Sequence, residues 1–224
     1  MNRLAIFDCD GTLVDSGATI YRAVVDTLEE HGIAVPPPRE CRRVIGLSLV
    51  EAMAALVPDA ETDAQAMLAE SYKRHFLRAR LEGRVEEPLF DGIAELLDAL
   101  DADGWLLAVA TGKSDRGLGL CLECHGLSGR FVSLQTADRH PSKPNPSMAL
   151  QAISDAGSKP EATIVIGDTS YDMGMAVAAG ATGIGAAWGY HDSDELLRAG
   201  AAAVADDPLE VIAMLREGNM RRYG

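Results

Sequence analysis

The run Leu4-Ala5-Ile6-Phe7, followed at once by Asp8-Cys9-Asp10-Gly11-Thr12, constrains this chain more than any other stretch. Four consecutive apolar residues predict a short, fully buried strand. That strand ends in two carboxylates two positions apart, and Gly11-Thr12 turns the chain directly after them. A single aspartate at a strand end is explained by turn capping. Two of them at the end of a core strand are costly to bury unless a cation or protons neutralise them. Two uses fit the pattern: Mg²⁺ binding through hard oxygen ligands, and a nucleophile paired with an acid/base group.

Partners for these acids follow in order along the chain. A second apolar run, Trp105 to Ala110, ends at Thr111-Gly112-Lys113-Ser114. A hydroxyl beside a glycine at a strand end, just ahead of a helix, suits phosphate, because the hydroxyl and the first helical N–H groups all donate. Next comes His140-Pro141-Ser142-Lys143-Pro144-Asn145-Pro146, where flanking prolines stiffen the backbone around Lys143. Last, Thr163 to Ile166 leads into Gly167-Asp168-Thr169-Ser170-Tyr171-Asp172, with two acids four apart. Each element alone has a plain structural explanation as a turn, a surface lysine or a helix cap. Together they put an acid pair, a hydroxyl, a lysine and a second acid pair on three strand ends and one rigid loop.

From Phe90 onward the pattern alternates helix and strand. Helices are expected near 92–102, 115–125, 146–156 and 171–179, and strands at 105–110, 131–134, 162–166 and 182–186. That rhythm implies a parallel α/β sheet, whose ligands bind at the carboxyl ends of the strands. Residues 17–83 carry no strand signal. Helices are expected around Ile20 to His31, Glu40 to Ile45, Leu49 to Val57 and Thr62 to Leu81, with Pro36-Pro37-Pro38 as a break. The expected fold is therefore α/β: a Rossmann-like core from residues 1–16 and 84–224, with an all-helical insert at 17–83. The tail predicts short helices at 194–197 and 208–215 plus edge material, and Met220 to Gly224 is expected to fray.

A net charge of −14 argues against nucleic acid and anionic membrane surfaces as partners, so phosphate must be drawn in by a local positive site. No apolar run is long enough to span a bilayer, and no hydrophobic segment of signal length precedes Asp8, so the expectation is cytoplasmic. Four cysteines are few for a disulfide scaffold. Cys121-x-x-Cys124 lacks the second pair that a zinc site would need, and Cys9 is expected to face the core. His31, His75, His125 and His140 show no metal-ligand spacing.

Taken together, Asp8-Cys9-Asp10-Gly11-Thr12, Thr111, Lys143, and Asp168 with Asp172 resemble the four ordered motifs of the haloacid dehalogenase superfamily, in its phosphatase branch with a helical cap. Asp15-Ser16 and Ser142 to Pro146 further resemble phosphoglycolate phosphatase relatives. The resemblance implies hydrolysis of a small-molecule phosphomonoester, 2-phosphoglycolate among the candidates. Asp8 would be the nucleophile that forms an aspartyl-phosphate, and Asp10 the acid/base. Mg²⁺ would be held by Asp8, Asp168 and the backbone oxygen of Asp10. Thr111, Gly112 and Lys143 would hold the phosphoryl oxygens. Asp172 would steady Lys143 or a metal-bound water. In the cap, Arg42, Arg43, Gly46 and Ser48 form the most promising substrate loop, with Arg43 placed to grip a carboxylate. Lys113 is expected either to face the leaving group or to sit idle at a helix start, and Trp188 to pack. A pyrophosphatase or a phosphoglucomutase-like phosphotransferase would share the same core. A dehalogenase has no need of the second acid. A phosphonate hydrolase needs a cap lysine, for which the insert offers only Lys73. A receiver-like phospho-switch needs neither the insert nor Asp10. Oligomeric state is not legible in the sequence.

Overall fold

The computed structural model describes residues 2–216. Its centre is a six-stranded sheet: β1 (Arg3–Phe7), β2 (Trp105–Thr111), β3 (Ser133–Thr136), β4 (Thr163–Gly167), β5 (Thr182–Ala186) and β6 (Ala203–Ala205). All neighbours pair in parallel, in the order β3-β2-β1-β4-β5-β6. This is the doubly wound order of a Rossmann-like sheet, and its direction reverses between β1 and β4. Strand alternation sorts the core. Ala5 and Phe7 join Val109 and Ile166 in one hydrophobic cluster, while Leu4 and Ile6 join Ala108, Ala110 and Val165 in the other. Helices α5 (Ile93–Ala102), α6 (Asp115–Cys124) and α10 (Pro208–Arg216) cover the first face. Helices α7 (Ser147–Asp155) and α8 (Ser170–Ala179) cover the second. Cys9 is buried against Cys121, whereas Cys124 is exposed; all four cysteines are free.

Between β1 and α5 run α1 (Gly17–Glu30), α2 (Pro38–Arg43), α3 (Leu49–Leu56) and α4 (Thr62–Leu81), with no strand among them. Val24, Leu28, Cys41, Met53, Leu68 and Ala69 form a separate hydrophobic cluster here. No described helix is long and apolar enough to cross a membrane.

Two elements depart from the sequence pattern. The third strand lies at Ser133–Thr136, two residues beyond the apolar run at 131–134. Phe131 turns into the core, Val132 is half exposed, and the polar Gln135 is buried because its amide donates to Ser133 and Asp155. The short helix expected at 40–45 begins earlier, on Pro38 itself, since the first helical position has no N–H bond to lose. A further short helix, α9 (Ser193–Arg198), follows β5. The fraying expected for 220–224 falls outside the described residues.

Candidate active site

The register fixes where the chemistry can occur. Phe7 lies opposite both Val109 and Ile166, which brings Asp8, Thr111 and Asp168 to one carboxyl edge at the reversal point of the sheet. Gly11 closes the turn after β1 with φ +87°, a left-handed conformation that disfavours any side chain. A Cβ there would also overlap the Asp168 carboxylate, 2.2 Å from Oδ2.

Four charged side chains converge at this edge. Asp8 Oδ1 accepts from the Cys9 N–H at 2.6 Å and lies 2.9 Å from Lys143 Nζ. Lys143 Nζ donates to Asp172 Oδ1 at 2.6 Å. The second Asp172 oxygen accepts from the backbone and hydroxyl of Thr169, closing a capping box at the start of α8. Asp168 accepts from the Thr12 hydroxyl at 2.7 Å and the Tyr190 N–H at 3.0 Å. All four side chains are buried. The loop bearing Lys143 reaches this position by lying on α8, where a Cβ on Gly174 would come within 2.8 Å of Pro144.

The electrostatics of this cluster do not close on themselves. Three carboxylates, Asp8, Asp168 and Asp172, offer oxygens within 4.8 Å of one another, and a single ammonium faces them. Burial pushes the Asp8 carboxyl up to about 7 against the pull of Lys143, and the neighbouring Asp172 and Asp10 add to the rise. Burial, then Asp172 and Asp8, raise Asp168 well above the ordinary carboxylate range, although Thr12 and Tyr190 oppose this. Burial disfavours the Lys143 charge, yet Asp172 and Asp8 outweigh it and its pKa rises. Asp8 Oδ2 is the one fully buried side-chain polar atom among the described residues with no hydrogen-bond partner. An orphaned carboxylate oxygen among hard oxygen donors fits a small divalent cation such as Mg²⁺. Asp8, with its unpartnered Oδ2, and Asp168, which accepts only from the neutral Thr12 hydroxyl and Tyr190 N–H, are the carboxylates placed to hold it, whereas Asp172 is already paired with the Lys143 ammonium.

Asp10 faces the other way. Its carboxylate accepts from Ser16 Oγ and pairs with Lys113 Nζ at 2.8 Å. Lys113 also donates to Glu87 at 2.6 Å, and Glu87 pairs with Arg80 of α4 at 2.6 Å. Lys113, one residue before the N-cap of α6, is thus not idle. Burial disfavours its charge, but Asp10, Cys9 and Glu87 hold its pKa well above the usual lysine range. Thr111 is buried and accepts from the Lys113 N–H at 3.2 Å. Glu87 and Arg80 carry no sequence signal, since Glu87 meets Lys113 across 26 residues and lies outside any periodic pattern.

The α2–α3 loop sits directly above the acids. Gly46 has φ +96°, and a Cβ there would lie 3.3 Å from Thr169 and 3.8 Å from Asp8 Oδ2. A Cβ on Gly112 would stand 2.4 Å from the Leu47 carbonyl oxygen. The Ser48 N–H donates to Ser142 Oγ at 2.8 Å. Arg43, expected to reach a substrate carboxylate, does not come to the site. Its guanidinium pairs with Glu195 of α9 at 2.8 Å, because that carboxylate offers a charge partner outside the cavity. Trp188 packs on the core and donates to the Thr12 carbonyl at 3.0 Å.

A family model described as haloacid dehalogenase-like hydrolase matches residues 5–186, which include all of these acids, Thr111 and Lys143. The chain belongs to that family. It is an enzyme, a hydrolase. It is 34% identical over 214 residues to a protein named probable phosphatase IndB from Dickeya dadantii, covering 95% of this chain and 93% of that one. It is 32% identical to a phosphoglycolate phosphatase from Agrobacterium fabrum, covering 86% and 83%. Among solved structures, a hydrolase from Pseudomonas syringae superposes with a TM-score of 0.85 at 30% identity, covering 96% of this chain and 99% of that one.

Proposed function

We propose that this hydrolase is a Mg²⁺-dependent phosphatase that cleaves a small phosphomonoester through an aspartyl-phosphate on Asp8. Residues 17–83 act as a cap over a core formed by residues 1–16 and 84–224. The observation that carries this reading is the buried, unpartnered Asp8 Oδ2 beside Lys143 and Asp168. In the first step one oxygen of the Asp8 carboxylate attacks phosphorus and the bond to the leaving oxygen breaks, while Asp10 hands a proton to that leaving oxygen. In the second, Asp10 takes a proton from water, which attacks the same phosphorus and releases Asp8. Ser16 and Lys113 hold the Asp10 carboxylate in one orientation for both transfers. Thr111, Gly112 and Lys143 hold the phosphoryl oxygens as charge redistributes. Asp8, Asp168 and the Asp10 carbonyl would hold the Mg²⁺, which would supply the charge that offsets repulsion between carboxylate and phosphate, about 4 kcal/mol per unit pair at 4 Å and an effective dielectric of 20. The phosphatase names of the relatives support this reading, and 2-phosphoglycolate is the substrate that the Agrobacterium fabrum name suggests.

The test is steady-state hydrolysis of p-nitrophenyl phosphate. Turnover is expected with Mg²⁺, absent with chelator, and restored by Mg²⁺ but only weakly by Ca²⁺, whose looser coordination misplaces the nucleophile. Full activity in chelator would contradict the metal role. One phosphorylation without continued release would favour a phospho-switch instead.

A further inference from the structure

Between the inserted helices α1, α3 and α4 and the carboxyl edge of the sheet lies a cavity of about 430 Å³ that reaches Asp10, Gly112 and Lys113. That volume falls in the range of sites that enclose drug-sized ligands, about 300–1,000 Å³. Its cap-side wall is apolar: Val24 of α1, Met53 and Leu56 of α3, and Tyr72, Phe76 and Leu77 of α4. Val24 and Met53 belong to the cap's own hydrophobic cluster and still line the space. Tyr72 and Phe76 stack, with ring centres 5.8 Å apart and planes at 29°.

This wall begins next to the acid/base. Lys113 Nζ lies 2.8 Å from Asp10 Oδ1 and 5.9 Å from the centre of the Phe76 ring. A leaving oxygen at Asp10 would therefore carry its organic part onto Phe76. The charges nearby cannot recognise an anion there. Asp10 and Glu87 contribute two negative charges, Lys113 and Arg80 two positive ones, and the pairs Lys113–Asp10, Lys113–Glu87 and Arg80–Glu87 cancel them. The other lining cations, Lys73 and Arg116, are exposed, and Lys73 is paired with Glu70.

We infer that the substrate is a phosphate ester of a bulky, largely apolar alcohol, with its aliphatic or aromatic body on the Val24–Met53–Phe76 wall, rather than the ester of a short hydroxy acid. The inference rests on the phosphatase reading above and adds the substrate class. A two-carbon carboxylate such as glycolate would leave most of the cavity to water and place its charge beside a neutralised ion-pair cluster. An alkyl or aryl body would fill the cavity and gain about fourfold in affinity for each methylene fully buried.

The experiment compares kcat/KM of the full chain, with Mg²⁺, on ethyl, butyl and hexyl phosphate, on phenyl and 2-naphthyl phosphate, and on 2-phosphoglycolate. The alkyl esters share one leaving-group chemistry, so their ranking reads binding. Hexyl phosphate is expected to exceed ethyl phosphate by up to about two-hundredfold, 2-naphthyl to exceed phenyl, and 2-phosphoglycolate to fall with the ethyl ester. Phe76→Ala and, separately, Leu77→Ala are expected to flatten the alkyl series, mainly through KM. A flat wild-type series, or preference for 2-phosphoglycolate over hexyl phosphate, overturns the inference and leaves the phosphatase reading standing. No phosphate release from any ester, p-nitrophenyl phosphate included, overturns both.

Discussion

Asp8 and Asp10 are the same residue type two positions apart, and the fold gives them opposite surroundings. Asp8 shares Lys143 with Asp172 and keeps one oxygen free; Asp10 is held by Ser16 and Lys113 on the cap side. On the proposed mechanism, that difference suits Asp8 to the nucleophile's role and Asp10 to the proton carrier's. Asp8→Asn is expected to lower kcat on p-nitrophenyl phosphate by more than a hundredfold, at least about 2.7 kcal/mol of barrier. It should not lower the melting temperature of the chelated protein, because it removes one of three crowded buried carboxylates while an amide oxygen can still accept from Cys9. Thermal melts beside the kinetics check both parts. The residues at strand ends were legible because an acid or hydroxyl closing an apolar run stands out against its neighbours. Glu87 was not, since neither Lys113, 26 residues on, nor Arg80, seven residues back, stands in a periodic pattern with it. The partner that Arg43 takes, Glu195, lies 152 residues away, and nothing local announces it.

At the scale of elements, two contacts seat the helical insert. Within it, Glu30 at the end of α1 accepts from Ser71 and His75 and pairs with Arg74, all on α4. The Ser71 and His75 hydrogen bonds, with Arg74 adding, lower the Glu30 pKa from 4.5 to about 2. A carboxyl depressed on folding stabilises the fold fully above about pH 4.5 and loses that contribution as pH falls toward 2. Wild type should therefore melt above Glu30→Gln at pH 6, and the gap should close between pH 4.5 and 2; a constant gap would remove the ionic account. Against the core, the α2–α3 loop rests on Gly112. Gly112→Ala must push the Leu47 carbonyl aside, at a cost of about 1–3 kcal/mol, and should lower kcat/KM roughly tenfold by lifting the loop from Asp8. An unchanged kcat/KM would mean that loop seating does not matter to catalysis. Helices and sheet strands followed hydrophobic periodicity closely. Their ends did not where polar residues are buried through side-chain bonds, as at Gln135, because such partners leave no periodic trace.

Over the whole molecule, the parallel order of the strands does the assembling. It collects residues from Asp8 to Asp172 onto one edge, and the insert after β1 covers that edge with a loop and an apolar wall. The order of motifs and the α/β alternation made this plan readable from the chain alone. The shape of the cavity was not readable, because it depends on how α1, α3 and α4 lean on one another. The proposed reaction needs the two acid clusters to act in sequence, Asp8 taking the phosphoryl group and Asp10 releasing it. Rapid-quench of Asp10→Asn with ³²P-labelled p-nitrophenyl phosphate tests this most directly. A burst of nitrophenol is expected, approaching one equivalent per active site, followed by slow turnover, with label trapped on the peptide bearing Asp8 and absent from Asp8→Asn. Phosphate released in step with nitrophenol, with no label on the protein at any time, would contradict it.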